Sequence, residues 1–254
     1  VQISEGFALS TGDRAEHVAT LRIDRPDKRN AMSAGMWRAL PGILAPLAAD
    51  PDVRVLVLTG AGGTFCAGAD ISEIAGLAED GDGTGATVTA ERALADFPKP
   101  VIAMIEGFCV GGGCQLALAC DLRLAAVGAR FAITPAKLGI VYPLPSTRRL
   151  VRHVGPSAAK LLLYSADQID AAHALRIGLV DEVLPPEVLA ERVYGLARTM
   201  ASRSQLTLAA SKEIVDGRAD EARFRRWQAE SADELAEGVA AFLERRPPDF
   251  PWSR

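Results

Sequence analysis

Apolar residues recur along this chain with two different periods, and the balance between them shifts part-way. Ala19, Leu21 and Ile23 alternate with Thr20 and Arg22, the pattern of a half-buried strand that ends at Arg25 and Pro26. Met36, Trp37, Leu40, Ile43, Leu44 and Leu47 then return at helical spacing behind Ser33, a candidate N-cap. Pro41 and Pro46 inside that stretch predict a kink or a split. Residues 53–59 (VRVLVLT) read as a buried strand closed by the glycine-bearing turn 60–63. Residues 101–105 read as another strand, followed by a glycine run and an Ala/Leu-rich helix. Strand and helix in alternation predict an α/β class with largely parallel pairing. From about Pro156 onward the pattern is helical, at 161–164, 171–176, 188–200 and 206–215, with one long helix expected over 220–246. Residues 79–89 (EDGDGTGATVT) read as a surface loop, and the proline-bearing tail from Pro247 cannot extend the last helix.

Composition narrows the function classes. The 254 residues are 49% hydrophobic and 24% charged, which excludes disorder and fibrous repeats. A net charge of −4 without basic runs argues against nucleic acid as the main partner. Glu106 and Gln115 interrupt the most apolar stretch, so no membrane span is expected. The N-terminus does not read as a signal peptide. Cys66, Cys109, Cys114 and Cys120 form no Cys-x-x-Cys pair, which predicts reduced structural thiols in a cytoplasmic protein, without disulfides or bound metal.

Two glycine-bearing segments carry candidate chemistry, residues 65–71 (FCAGADI) and 106–115 (EGFCVGGGCQ). Each follows a strand and can present backbone N–H groups at a helix N-terminus. Converging on one point, two such donors would form an oxyanion hole for a carbonyl oxygen. Singly, each also fits a glycine turn that packs a strand on a helix. Neither is a dinucleotide fingerprint or a P-loop.

Together, these segments resemble the crotonase superfamily, the enoyl-CoA hydratase/isomerase family. Residues 25–31 (RPDKRNA), 99–107 (KPVIAMIEG), 174–183 (ALRIGLVDEV) and 241–250 (AFLERRPPDF) are similar to further family motifs, in order, over essentially the whole chain. The resemblance implies an α/β fold, a crotonase-like spiral of β-β-α repeats with a helical C-terminal region. It divides the chain into an acyl-CoA-binding core (1–190) and an oligomerisation region (191–254). It implies a homotrimer or homohexamer and an acyl-CoA thioester as substrate, with coenzyme A as part of that substrate and no separate cofactor. The N–H groups of Ala69 and Gly112 would hold the thioester carbonyl. Lys28, Ala31 and Ala67 would lie along the CoA, with Phe242 and Arg245 reaching it from the C-terminal helix.

The chain departs from the family's hydratase pattern at two places. Where the two hydratase glutamates are expected, it has Gln115 and Ala136. A carboxamide orients water but does not exchange protons near neutral pH, and alanine does neither. Between Asp121 and Asp167 there is no acid, while Arg123, Arg130, Lys137, Arg148, Arg149, Arg152 and Lys160 predict a cation-rich wall that would tolerate an anionic substrate. Asp70, Glu73, Glu106 and Asp121 are the remaining acids nearby, with Asp70 and Asp121 expected to be structural. Residues 134–142 (TPAKLGIVY) are similar to the methylmalonyl-CoA decarboxylase branch, which implies that Tyr142 stands beside the acyl group, with Thr134 near it. His17, His153 and His173 fall outside the motifs and read as structural. Decarboxylation of a malonyl-type acyl-CoA is therefore expected, catalysed by Ala69, Gly112, Gln115, Thr134 and Tyr142. The alternatives are an enoyl-CoA hydratase or isomerase with a displaced acid, or a non-catalytic thioester binder.

Overall fold

The computed structural model describes residues 2–4, 6–12, 16–73 and 85–252. Strands β1 (Gln2–Ser4), β2 (Phe7–Ser10), β3 (Val18–Ile23), β4 (Val55–Gly60) and β5 (Val101–Ile105) begin a large sheet. β6 (Phe108–Val110) leaves it for a second sheet, β7 (Leu122–Ala126) returns, β8 (Arg130–Ala132) and β9 (Ile169–Asp170) join β6, and β10 (Glu182–Leu184) closes the large one. The large sheet runs β1-β2-β3-β4-β5-β7-β10, parallel from β3 onward, and the small sheet runs β6-β8-β9. Two successive turns of chain therefore place one strand in each sheet before entering a helix. β5, β6 and α3 (Gly112–Ala119) make one such turn, and β7, β8 and α4 (Pro135–Leu138) make the next. This is the spiral of β-β-α repeats.

Both faces of the large sheet are covered, which is why its central strands are apolar throughout. Leu56 and Leu58 point into a core shared with α1 (Ala34–Ala49) and α2 (Ala86–Ala95), whereas Val55 and Val57 point to the opposite face. There they meet Leu189, Val193 and Ala197 of α7 (Pro186–Ala201). The expected division at residue 190 falls inside this helix.

Three local expectations change. Helix α1 runs unbroken through Pro41 and Pro46, capped by Ser33, whose hydroxyl accepts from the Met36 N–H at 3.2 Å. Its apolar stripe, with Met36, Trp37, Leu40, Leu44 and Leu47 all buried, outweighs two missing hydrogen bonds. Residues 220–246 form two helices, α9 (Glu221–Glu230) and α10 (Ala232–Glu244), with Ser231 between them. Residues 86–89 begin α2 and so belong to a helix, and the expected loop at 79–84 lies outside the described residues. Elsewhere, α5 (Leu144–Ser165) bends at Gly155, where φ is 74° and Pro156 follows. Helices α6 (Ala171–Arg176) and α8 (Gln205–Val215) complete the set. No helix among the described residues is long and apolar enough to cross a membrane.

Asn30 fastens the first loop onto the second. Fully buried and left-handed at φ 57°, it donates through Nδ2 to the carbonyls of Ala61 (2.8 Å) and Thr64 (2.5 Å), and its Oδ1 accepts from the Arg25 N–H at 2.9 Å. Asparagine tolerates this conformation better than most residues. We expect Asn30→Ala to lower the unfolding free energy by about 3 kcal/mol, roughly one per lost bond, in urea titrations. A loss below about 1 kcal/mol would contradict this role.

Candidate active site

Two loops carry backbone donors that have no acceptor among the described residues. In the first, the N–H groups of Phe65, Cys66, Ala67 and Asp70 reach the carbonyls of Glu106, Phe108, Arg29 and Met32, and Gly68 donates to the Cys66 sulfur. The Ala69 N–H is passed over and donates to no described residue. In the second, Val110 and Gly111 donate to Cys66 and Ala132, whereas the Gly112 N–H, at the first residue of α3, has no described acceptor. A Cβ built on Gly112 would stand 2.7 Å from Trp37 Cζ2 and 3.3 Å from the Ala69 nitrogen, and one on Gly68 would stand 3.5 Å from the Gly112 nitrogen. The donors thus share one wall, packed too closely for a side chain at residue 112. Both residues line a cavity of about 470 Å³. Its other residues include Trp37, Ala67, Gln115, Thr134 and Tyr142, with Val88, Leu138, Ile140 and Val141 as apolar wall. That volume suits a small ligand or an acyl group.

The structure brings together Ala67, Ala69, Gly112, Gln115, Thr134 and Tyr142. Lys28 and Ala31 lie outside the cavity lining, on a 3₁₀ turn (Pro26–Lys28) and the loop after it. That loop is joined to the donor loop through Ala67 N–H to Arg29 and Met32 N–H to Gly68. Phe242 is exposed on α10, where it lines a separate groove with Leu235, Val239 and Phe250, and Arg245 caps the same helix. Ala136 is exposed on α4 and does not line the cavity, so only Gln115 of the two substituted positions faces it.

The expected cation-rich wall is not part of this cavity. Arg123 is buried against Asp181 at 2.9 Å, Arg149 pairs with Glu91 at 2.8 Å, and Lys137 pairs with Asp167 on the surface at 3.7 Å. The reserve acids are also occupied. Asp70 accepts from the Ser72 hydroxyl and N–H and pairs with Arg25, contacts that hold its carboxyl below the usual carboxylate range. Glu73 accepts from the Ala34 N–H at the start of α1, and Asp121 accepts from Lys212 and the Val101 N–H. Glu106 lies outside the cavity lining. All four cysteines are buried free thiols, and burial pushes Cys66 and Cys120 up to about 12, so both stay protonated.

One acid that the sequence pattern did not single out bonds directly to a residue lining the cavity. Glu91, on α2, accepts from Gln115 Nε2 at 2.9 Å, from the Ser146 hydroxyl, and from Arg149 Nε at 2.8 Å. The signal was available as a carboxylate on the buried stripe of α2, three residues from Val88 and three from Leu94. Two further polar atoms have no partner among the described residues, Trp37 Nε1 and the Tyr142 hydroxyl, both buried. Burial, with Glu91 nearby, holds the Tyr142 pKa well above its usual value, so the phenol keeps its proton.

The sequence model for enoyl-CoA hydratase/isomerase matches residues 13–252. The chain belongs to the enoyl-CoA hydratase/isomerase family. It is 37% identical to a crotonyl-CoA hydratase of Syntrophomonas wolfei, over 94% of this chain and 96% of that one. It is 36% identical to the 2,3-dehydroadipyl-CoA hydratase of Escherichia coli, over 93% and 96%. Among solved structures, a family protein from Hyphomonas neptunium superposes with a TM-score of 0.88 at 37% identity, covering 97% of this chain and 98% of that one. The enoyl-CoA hydratase of Bacillus anthracis gives 0.85 at 32%, covering 96% and 98%. Family membership makes this an acyl-CoA enzyme of crotonase fold.

Two substitutions at residue 112 isolate the donor. Gly112→Ala and Gly112→Pro both bring a Cβ against Trp37, but only proline removes the N–H. We expect the proline variant to turn over about 10²–10³-fold more slowly than the alanine variant in steady-state assays on the best acyl-CoA substrate. Equal rates would remove the Gly112 N–H from catalysis.

Proposed function

We propose that this family member decarboxylates a malonyl-type acyl-CoA. The observation that supports this reading is the polar inventory of the cavity. Among the described residues, its lining contains no carboxylate and no cation, while Trp37 Nε1 and the Tyr142 hydroxyl are hydrogen-bond donors without partners. A reaction that begins with an unassisted bond cleavage suits such a site. The Cα–carboxylate bond breaks, CO₂ leaves, and the electron pair moves to Cα and the thioester oxygen. The Ala69 and Gly112 N–H groups stabilise that enolate oxygen, each contributing about 3–4 kcal/mol by analogy with comparable donors. Tyr142 and Thr134 orient the carboxylate, and a proton from the Tyr142 hydroxyl or from water then forms the new Cα–H bond. The raised Tyr142 pKa keeps that proton available at neutral pH.

Hydration of an enoyl-CoA is the second reading. It is favoured by the named activities of the relatives and by Glu91, one hydrogen bond behind Gln115. We also propose that the chain self-associates, since Leu235, Val239, Phe242 and Leu243 leave α10 with an exposed apolar stripe.

A turnover screen separates the readings. Methylmalonyl-, ethylmalonyl- or malonyl-CoA should release CO₂. Crotonyl-CoA should be hydrated several orders of magnitude more slowly, because an acid and a base each typically contribute about 10²–10⁴-fold. Efficient hydration of crotonyl-CoA without CO₂ release would replace decarboxylation by hydration. Binding of every thioester with turnover of none would mark a non-catalytic binder.

A further inference from the structure

Gln115 has only one polar atom left for a ligand. Its Nε2 carries two hydrogens, and both are directed at α2, to the Thr87 carbonyl at 3.2 Å and to Glu91 Oε2 at 2.9 Å. The orientation of a carboxamide follows from its partners, because nitrogen donates and oxygen accepts. Here both partners are acceptors, so an oxygen turned toward them would meet a carboxylate and a carbonyl.

Glu91 is itself held on both of its oxygens. It is buried to 1% exposure, with one oxygen held by Arg149 Nε and the other by the Ser146 hydroxyl as well as Gln115. A guanidinium and two neutral donors satisfy its acceptor sites, so the side chain is fixed in place. Gln115 Oε1 remains. It has no partner among the described residues and is open to the cavity that its residue lines.

We propose that Glu91 is a positioning residue that locks the Gln115 carboxamide with Oε1 toward the cavity, making the site selective for an O–H donor beside the acyl group. That donor is either a hydroxyl on the acyl chain of the thioester or a bound water. Glutamate at residue 115 could exchange a proton with such a group; glutamine held by Glu91 can only accept from it. The inference rests on the acyl-thioester reading of the cavity and is independent of which reaction follows.

Dissociation constants for 3-hydroxybutyryl-CoA and butyryl-CoA, together with a crystal structure of the butyryl-CoA complex, test it. If the substrate hydroxyl is the donor, the hydroxylated thioester binds about threefold to tenfold more tightly, the worth of one hydrogen bond. Gln115→Met then abolishes that preference, and Glu91→Gln narrows it, because a second carboxamide can hold either end of the first. Glu91→Gln should bind butyryl-CoA as the parent does, which a merely structural role of Glu91 would not predict. Should Glu91→Gln fail to fold with Arg149 left unpaired, Glu91→Met combined with Arg149→Leu removes both charges and carries the same expectation. If water is the donor, the two thioesters bind equally and the crystal structure shows a water within hydrogen-bond distance of Oε1. Equal binding with no such water, or a preference unchanged in the Glu91 variants, overturns the proposal. Binding of neither thioester overturns the acyl-CoA reading along with it.

Discussion

The site depends on the peptide N–H groups of Ala69 and Gly112, which have no acceptor among the described residues. Both residues are half-buried at the cavity wall, and two such donors stay aimed at one place only where the surrounding backbone is fixed. That condition is met by crossed loops. The Arg29–Met32 segment, the Cys66–Asp70 segment and the strand leading into Gly112 are joined by direct backbone hydrogen bonds. Isolated bridges pair Met32 with Ala69 and Cys66 with Cys109. Trp37, fully buried on α1, packs where a Gly112 side chain would stand. The spiral serves this end, because each turn delivers one loop to the same edge of the small sheet.

Around those donors, the charges are arranged to stay out of the cavity. Arg123 meets Asp181, Lys212 meets Asp121, and Arg149 meets Glu91, each pair joining segments distant in sequence. Such pairs fix register and orientation, since separating either member would strand a charge in a poorly solvated place. Among the described residues the cavity lining is mostly apolar, with neutral donors and one carboxamide. In such a setting fixed dipoles would stabilise an oxyanion without competing ions.

Much of this was legible in the residues. The buried strands and the helix beginning at the glycine run follow from local periodicity, whereas the pairing of FCAGADI with EGFCVGGGCQ followed from the family resemblance. What escaped was of two kinds. Helix α1 passes through two prolines because tertiary burial of one face outweighs local propensity, a balance that no window of sequence displays. Glu91 escaped because α2 follows a Gly- and Thr-rich stretch that masks its start, and because its meaning lies in Ser146 and Arg149, more than fifty residues away. The cation-rich segment misled for the same reason. Charge along the chain says nothing about which partner neutralises it across the fold.

The central claim is that Ala69 and Gly112 polarise a thioester carbonyl. Isotope-edited infrared spectroscopy of butyryl-CoA labelled with ¹³C at that carbonyl reads this directly in the bound complex. The account predicts that the carbonyl stretch moves to lower frequency on binding, as two hydrogen bonds in a low-dielectric pocket lengthen the C=O bond. A bound thioester whose carbonyl stretch stays at its value in water would contradict it.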